Sequence, residues 1–461
     1  MPSKYHIHTE PAPPRVRPVG KLGIVEWRED CSSCHNCVKR ACVYGFYRDE
    51  ADRLRDETGY LDYIYQCKGC LTCVQDCTKG ILTRVVNPEF ERLGDEHYTP
   101  DIILSTWYQA ETGRIPVSGA GYGGPFSGSG FDAMWTDMSE IVRPTRDGIH
   151  GREYISSSVD LGRKLAHLAF DDGRMTVEPP PLIESPLPVM FDVIPQRFHR
   201  GKVTSSIAKA AARMGLYSVI RNEEIPAGMA VDQNNIVPYL NGDRRGGSIL
   251  SAAMVMIPDG EDVHRVRSRL KEENADRLVA IRLPADPKCV RRVLELTDAG
   301  AEVLHLVFDS HGRERGAQKP RHMRDVLREV HTALVKSGNR DLVTLSASGG
   351  IALAEHMAKA IVCGADLVAI DIPLVLALEC RFCGECGRDG ICPIALEDVD
   401  PRYAMRRVTN LVAAWHQQMV ELLGAMGIRE VRRLRGETGR CMFFDDLERE
   451  TFGRLFGKRK Q

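Results

Sequence analysis

Residues 342–371 read LVTLSASGGIALAEHMAKAIVCGADLVAID, and this stretch decides the fold. LVTLSAS is a short run of strand character, Gly349-Gly350 interrupts it, ALAEHMAKAIVCG carries apolar residues at helical spacing, and DLVAID is strand-like again. Strand, turn, helix and strand in that order describe a parallel pair, because parallel neighbours need a long crossover and a helix provides one. The same alternation runs back toward the N-terminus. Strands are expected at 251–257 (SAAMVMI), 277–283 (RLVAIRL) and 302–309 (EVLHLVFD), with helices at 203–214, 287–300 and 321–338. Weaker candidates near Val189, Leu216 and Ile236 raise the strand count to about eight, as a (β/α)8 TIM-like barrel needs. A doubly wound open sheet is the competing arrangement of the same elements.

The 461 residues leave room for additions around such a barrel, expected at 186–379 after the proline-rich PPPLIESPLP. Residues 1–26, rich in proline and charge, read as an extended arm, and 27–86 as a small cysteine-dense domain. Residues 87–185, with the glycine-rich GAGYGGPFSGSG from Gly119 to Gly130, read as a connector packing on the barrel. After a cysteine loop at 380–396, residues 397–461 form a helical tail, opened by Asp400 and Pro401 in N-cap and first-turn roles. The Arg-rich IREVRRLRGETGR behind that helix is expected to be a solvated face rather than a docking patch. A formal net charge of −1 gives bulk electrostatics no hold on nucleic acid or an anionic membrane. No run approaches the ~20 apolar residues of a spanning helix, and the N-terminal stretch lacks a signal-peptide core, so a cytoplasmic protein is expected.

Twelve of the fifteen cysteines fall into three tight sets, a pattern of metal ligation rather than of disulfides. The first set is Cys31, Cys34, Cys37 and Cys42, and the second is Cys67, Cys70, Cys73 and Cys77. Two-residue gaps let three thiolates converge on one cubane while the fourth ligand comes from elsewhere. By that logic Cys31, Cys34, Cys37 and Cys77 hold one 4Fe-4S cluster, and Cys67, Cys70, Cys73 and Cys42 hold another. Zinc is the alternative, but it commonly draws its ligands as two separated pairs. The third set, Cys380, Cys383, Cys386 and Cys392, follows the last expected strand, at the face where parallel α/β folds build active sites. Cys289, Cys363 and Cys441 stand alone and read as small buried hydrophobes.

Ser348, Gly349 and Gly350 at one strand end, with Gly364 and Ala365 entering the next strand, are candidates to cradle a phosphate on backbone N–H groups. A flavin suits the context, since iron-sulfur clusters move single electrons while most metabolites take pairs.

These residues resemble the FMN-binding synthase domain of the glutamate synthase family, in its short archaeal-type form with a two-cluster ferredoxin module. The matching stretch runs from about Gly119 to Cys392, most specifically KPRHMRDVLREVHTALVKSGNRD and the segment quoted at the outset. The resemblance implies FMN, an iron-sulfur cluster beside it, and reductive amination of 2-oxoglutarate to glutamate. Cys380, Cys386 and Cys392 are similar to the family's three ligands, and the extra Cys383 favours a 4Fe-4S form. The chain departs from the family at FDVIPQRFHRG, RNEEIPAG and FDSHGRERGAQKP, and Arg282 stands where the family points a lysine at substrate. Arg282, His311 and Lys319 are the candidate substrate residues, and Arg146, His150 and Arg152 lie in a polar segment that could close over the mouth. Expected partners are an electron donor protein or redox subunits and a separate glutaminase. An electron-transfer subunit, or a scaffold of a larger redox complex, without glutamate synthase activity is the alternative function.

Overall fold

The computed structural model describes residues 5–16, 19–21, 71–80, 86–116, 124–136, 155–165, 167–225, 235–240, 251–387, 392–451 and 453–457. Eight strands form its centre: β1 Val189–Phe191, β2 Ser218–Arg221, β3 Ile236–Tyr239, β4 Met254–Pro258, β5 Leu278–Pro284, β6 Val303–Val307, β7 Thr344–Ser348 and β8 Leu367–Ile370. Each pairs in parallel with the next, and β8 returns to β1 through Val368↔Val189, Ala369↔Met190 and Ile370↔Phe191. That last pairing makes a closed barrel of what could have been an open sheet. Strand residues are almost uniformly buried, because helices cover the outer face and strand side chains fill the inner one.

Eight helices matter below: α1 Pro100–Thr112, α2 Val203–Arg213, α3 Val263–Glu273, α4 Cys289–Asp298, α5 Met323–Lys336, α6 Ala354–Val362, α7 Ile372–Ala377 and α8 Pro401–Ala425. Asp400 caps α8 by accepting the Tyr403 N–H at 2.9 Å, as its sequence predicts. Helix α3 escapes sequence reading because only Val263 and Leu270 of its eleven residues are buried. No helix among the described residues is long and apolar enough to cross a membrane.

The described residues of the N-terminal arm lie outside helices and strands and are built into the core. Ala12 and Val19 are buried, and Asn410 of α8 exchanges hydrogen bonds with both backbone groups of Glu10, at 2.8 and 3.3 Å. Arg407, 1% exposed, donates to the carbonyls of Ala377 at 2.6 Å, Ala12 at 2.9 Å and Trp107 at 3.3 Å. One guanidinium thus joins α7, the arm and α1. The connector is likewise structured, since α1 buries most of its length against α7 and α8.

One expectation changes, and others lie beyond what the structure describes. The Arg-rich run is only partly a solvated face: Val431 and Leu434 are buried, Arg432 pairs with Asp160 at 3.1 Å, and Arg435 bridges Asp366 and Asp341. Among the first two cysteine sets, Cys31, Cys34, Cys37, Cys42, Cys67 and Cys70 lie outside the described residues, as do Arg146, His150 and Arg152. Cys77 sits in a turn after the single-turn helix Thr72–Gln75.

Removing the Arg407 guanidinium strands three carbonyls in the core, each costing about 1–3 kcal/mol. Arg407→Ala is therefore expected to lower the unfolding free energy by at least about 3 kcal/mol, read as a drop in the urea midpoint, with Arg407→Lys recovering part of it.

Candidate active site at the barrel mouth

Polar side chains in the middle of apolar strands gather at the C-terminal end of the barrel. Arg282 of β5 reaches Asp192, just past β1, with both fork nitrogens at 2.5 and 3.0 Å, and lies 5.5 Å from the centre of the Tyr239 ring of β3. His305 of β6 is fully buried, its Nδ1 3.0 Å from Ser346 Oγ and its Nε2 2.9 Å from Ser348 Oγ, both on β7. The same Nε2 lies 3.6 Å from Asp192. Burial pushes the Asp192 pKa up, but the Arg282 charge and the hydrogen bonds from His305 and Arg282 outweigh it, so the carboxyl ionises well below the usual range. Burial lowers the His305 pKa and leaves its imidazole neutral at neutral pH. Arg282 thus spends its planar fork on Asp192, and a substrate carboxylate would have to displace that partner to be bound by it.

Asp371 lies beside this network. It is half-buried, and its carboxyl is pushed up to about 6, by loss of solvation first and then by the negative charge of Asp192. Its side chain accepts the Ile372 N–H at 2.6 Å and so caps α7. Ser348 and Ala369 are register partners on β7 and β8, so Gly350 and Asp371, each two residues further on, leave neighbouring strand ends.

Gly349 and Gly350 have φ of 95° and 69°. A Cβ at Gly349 would lie 2.4 Å from the Asp309 carbonyl, and one at Gly350 2.2 Å from the Gly312 nitrogen. The loop after β6 therefore admits only glycine here. The N–H groups of Gly350 and Ile351 have no acceptor among the described residues, although Ile351 is 1% exposed. This is the condition of a backbone built to meet an anion. Gly364 and Ala365 do not belong to it. They sit in the turn between α6 and β8, at the opposite end of the barrel, where the Gly364 carbonyl accepts from Arg340 at 2.7 Å and a Cβ would strike His331. A parallel strand brings its own beginning to the far face, so the expectation for these two is corrected.

Residues 94–98, which follow the cysteine-dense stretch, cross over this loop. His97 Nε2 is 2.9 Å from the Gly350 carbonyl, and its ring stacks on His311 with centroids 5.4 Å apart. His311 Nε2 in turn lies 3.1 Å from Asp95. Asp95 also accepts the N–H groups of His97 and Tyr98, at 2.9 and 2.7 Å. The structure thus gives His311 a brace for partner, while Lys319 stays on an exposed loop.

The third cysteine set follows α7 at the same end. Cys380 and Cys392 are buried, and Cys383 and Cys386 partly so. Burial pushes the Cys380 thiol up to about 12, and the neighbouring Cys386, Cys392 and Cys383 sulfurs add to it. The Phe382 N–H donates to Cys380 Sγ at 3.4 Å, and Arg200 donates to the Cys386 carbonyl at 3.3 Å. Of five non-glycine residues with positive φ among the described residues, Glu379, Phe382 and Ala395 all belong to this loop, the concentration of backbone strain that functional sites carry. An all-sulfur donor set with an N–H aimed at one sulfur fits an iron-sulfur cluster. Gly94 donates to the Arg381 carbonyl at 3.1 Å, and the Tyr98 ring meets Phe382 at 5.2 Å.

Asp132, Glu355 and His356 also bring possible ligand atoms within 4.8 Å of one another. His356 Nδ1 accepts the Ala352 N–H at 3.2 Å, so the proton of the neutral ring is on Nε2, which then donates and cannot ligate.

Fold and site together define a (β/α)8-barrel protein with a cysteine quartet at its catalytic face. Residues 244–429 match the conserved region in glutamate synthase. The chain is 26% identical to an archaeal-type glutamate synthase (NADPH) of Dehalococcoides mccartyi, covering 90% of this chain and 93% of that one. It is 24% identical to the archaeal glutamate synthase (NADPH) of Archaeoglobus fulgidus, over 93% and 96%. The chain is similar to these glutamate synthases along about nine-tenths of its length. Among solved structures, a mutant flavocytochrome b2 with pyruvate bound is similar at a TM-score of 0.45 and 11% identity, covering 72% of this chain and 83% of that one.

Asp192, His305, Ser346 and Asp371 were missed from sequence. Their signal was polarity inside or at the end of apolar strands, which buried strands tolerate only with a partner. The folded pKa of Asp371, about 6, lies above the ~3.9 of an unfolded chain. Its favourable contribution is complete below the unfolded value and is lost as pH rises through about 6. Between pH 5 and 8 the wild type is expected to lose about 1.4 kcal/mol relative to Asp371→Asn, measured by urea unfolding of both proteins at each pH.

Proposed function

We propose that this chain is an iron-sulfur flavin oxidoreductase of the glutamate synthase kind, passing electrons from ferredoxin-type clusters to a substrate imine or carbonyl at the barrel mouth. The observation that carries this is the attachment of residues 94–98 to the third cysteine loop, through Gly94 to Arg381 and Tyr98 to Phe382. The segment leaving the ferredoxin-like stretch is fastened beside the next set of sulfurs. Cys31, Cys34, Cys37 and Cys77 would hold one N-terminal 4Fe-4S cluster, and Cys67, Cys70, Cys73 and Cys42 the other. Cys380, Cys383, Cys386 and Cys392 would hold the third.

The unengaged N–H groups of Gly350 and Ile351, with the Ser348 hydroxyl nearby, fit the phosphate of FMN. FMN, when bound, supplies the exchange between single electrons and a hydride. Around it the chain's own residues exclude water and fix charge: Arg282 and Asp192 neutralise each other, and His305 holds the two serine hydroxyls. The specific reaction is reductive formation of glutamate from 2-oxoglutarate, with ammonia delivered by a separate glutaminase subunit and electrons by a donor protein or redox partner. NADPH, which stands in the names of the relatives, is the upstream source this reading adopts. Among the substrate candidates, His311 and Lys319 border the mouth on the loop after β6, and Arg282 lines it.

One observation favours a second reading, an electron-transfer subunit without glutamate synthase activity. Asp192 saturates the only one of these candidates that lies inside the barrel, and arginine cannot donate its proton as lysine can.

Iron, sulfide and flavin stoichiometry on anaerobically purified chain, followed by turnover with reduced ferredoxin, 2-oxoglutarate and ammonia, separates the two. Three clusters, bound FMN and glutamate as product are expected; clusters without glutamate leave the relay. Cys383→Ser is expected to convert the third cluster to a three-iron form, seen as a new EPR signal in the oxidised protein, whereas an unchanged spectrum removes Cys383 from the ligand set.

A further inference from the structure

The hydrogen bond from His97 to Gly350 points beyond fastening. We infer that His97 is a positioning residue that sets the Gly349–Gly350–Ile351 backbone in its anion-receiving orientation, so that the segment leaving the ferredoxin-like stretch also shapes the barrel's phosphate site. This rests on the reading of that loop as the FMN phosphate site.

The geometry runs through one peptide plane. A carbonyl only accepts, so the 2.9 Å contact places the proton on His97 Nε2 and pulls the Gly350 C=O toward the ring. The peptide is trans, and in a trans peptide C=O and N–H point in opposite directions. Holding the Gly350 carbonyl at His97 therefore turns the Ile351 N–H away from it. The side toward the β6 loop is closed, because the Gly312 nitrogen would stand 2.2 Å from a Gly350 Cβ. One residue on, the Ala352 N–H is already taken by His356, so the open donors stop at Ile351. Helix α6 begins at Ala354 and adds its N-terminal partial charge in the same region.

His97 is itself held in place. It is 6% exposed, its backbone N–H is fixed by Asp95, and its ring lies against His311, which Asp95 also engages. Burial lowers its pKa, so near neutral pH it acts by hydrogen bonding and carries no charge of its own to the phosphate. Its effect should fall on the phosphate alone and leave the isoalloxazine contacts untouched.

The test is titration of flavin-stripped full-length chain with FMN and with riboflavin, which lacks the phosphate. Wild type is expected to prefer FMN. His97→Ala should weaken FMN about tenfold, the loss of one well-placed hydrogen bond, while riboflavin affinity stays constant. His97→Gln, whose amide nitrogen can reach the same carbonyl, should restore most of the preference. If His97→Ala loses both flavins equally and the glutamine variant does not recover the FMN preference, the residue is only structural and the inference fails. It also fails if wild type prefers FMN and His97→Ala keeps that preference. A wild-type chain that binds neither flavin overturns the FMN reading itself, and this inference with it.

Discussion

Closure of the barrel between β8 and β1 is the constraint on which the rest depends. Those three register pairs bring Asp192, at the end of the first strand, around to the last strand, where its N–H bonds to the Ile370 carbonyl. Without closure Asp192 would lie at one edge of a sheet and Asp371 at the other. With it, the two carboxyls, Arg282 and His305 share one small low-dielectric volume, and each one's ionisation is set by the others.

The buried pair of Arg282 and Asp192 has a chemical consequence. A fork held at 2.5 and 3.0 Å by a carboxylate presents no net charge to the mouth, and breaking the pair by taking one member away would leave the other stranded. The Arg282–Asp192 pair is therefore electrically balanced before any ligand arrives. It is better suited to holding fixed dipoles around a bound group than to exchanging protons through Arg282.

Residues 94–98 tie together three things that sequence reading treats separately: the end of the cysteine-dense stretch, the Cys380 loop and the glycine loop after β7. Asp95, His97 and Tyr98 each contact a different one of the structures bordering the mouth. These contacts leave the glycine loop little freedom to rearrange. The arm reinforces the same corner, since Arg15 reaches the Ile394 carbonyl at 3.0 Å and the Glu379 carboxylate just before Cys380.

Periodicity alone was enough to place eight strands and most helices, because buried strands need continuous apolar runs and outer helices need an apolar stripe, whatever their neighbours are. Spacing likewise identified the three cysteine sets, since ligands close in sequence converge by local geometry. Strand runs could not say that the sheet closes, that Gly364 and Ala365 face the opposite end from Gly350, or that Arg282 would find Asp192, ninety residues away. Those outcomes rest on pairing between distant segments. Local propensity does not encode such pairing; only the assembled barrel, in which one end of every strand faces the mouth and the other faces away, decides it.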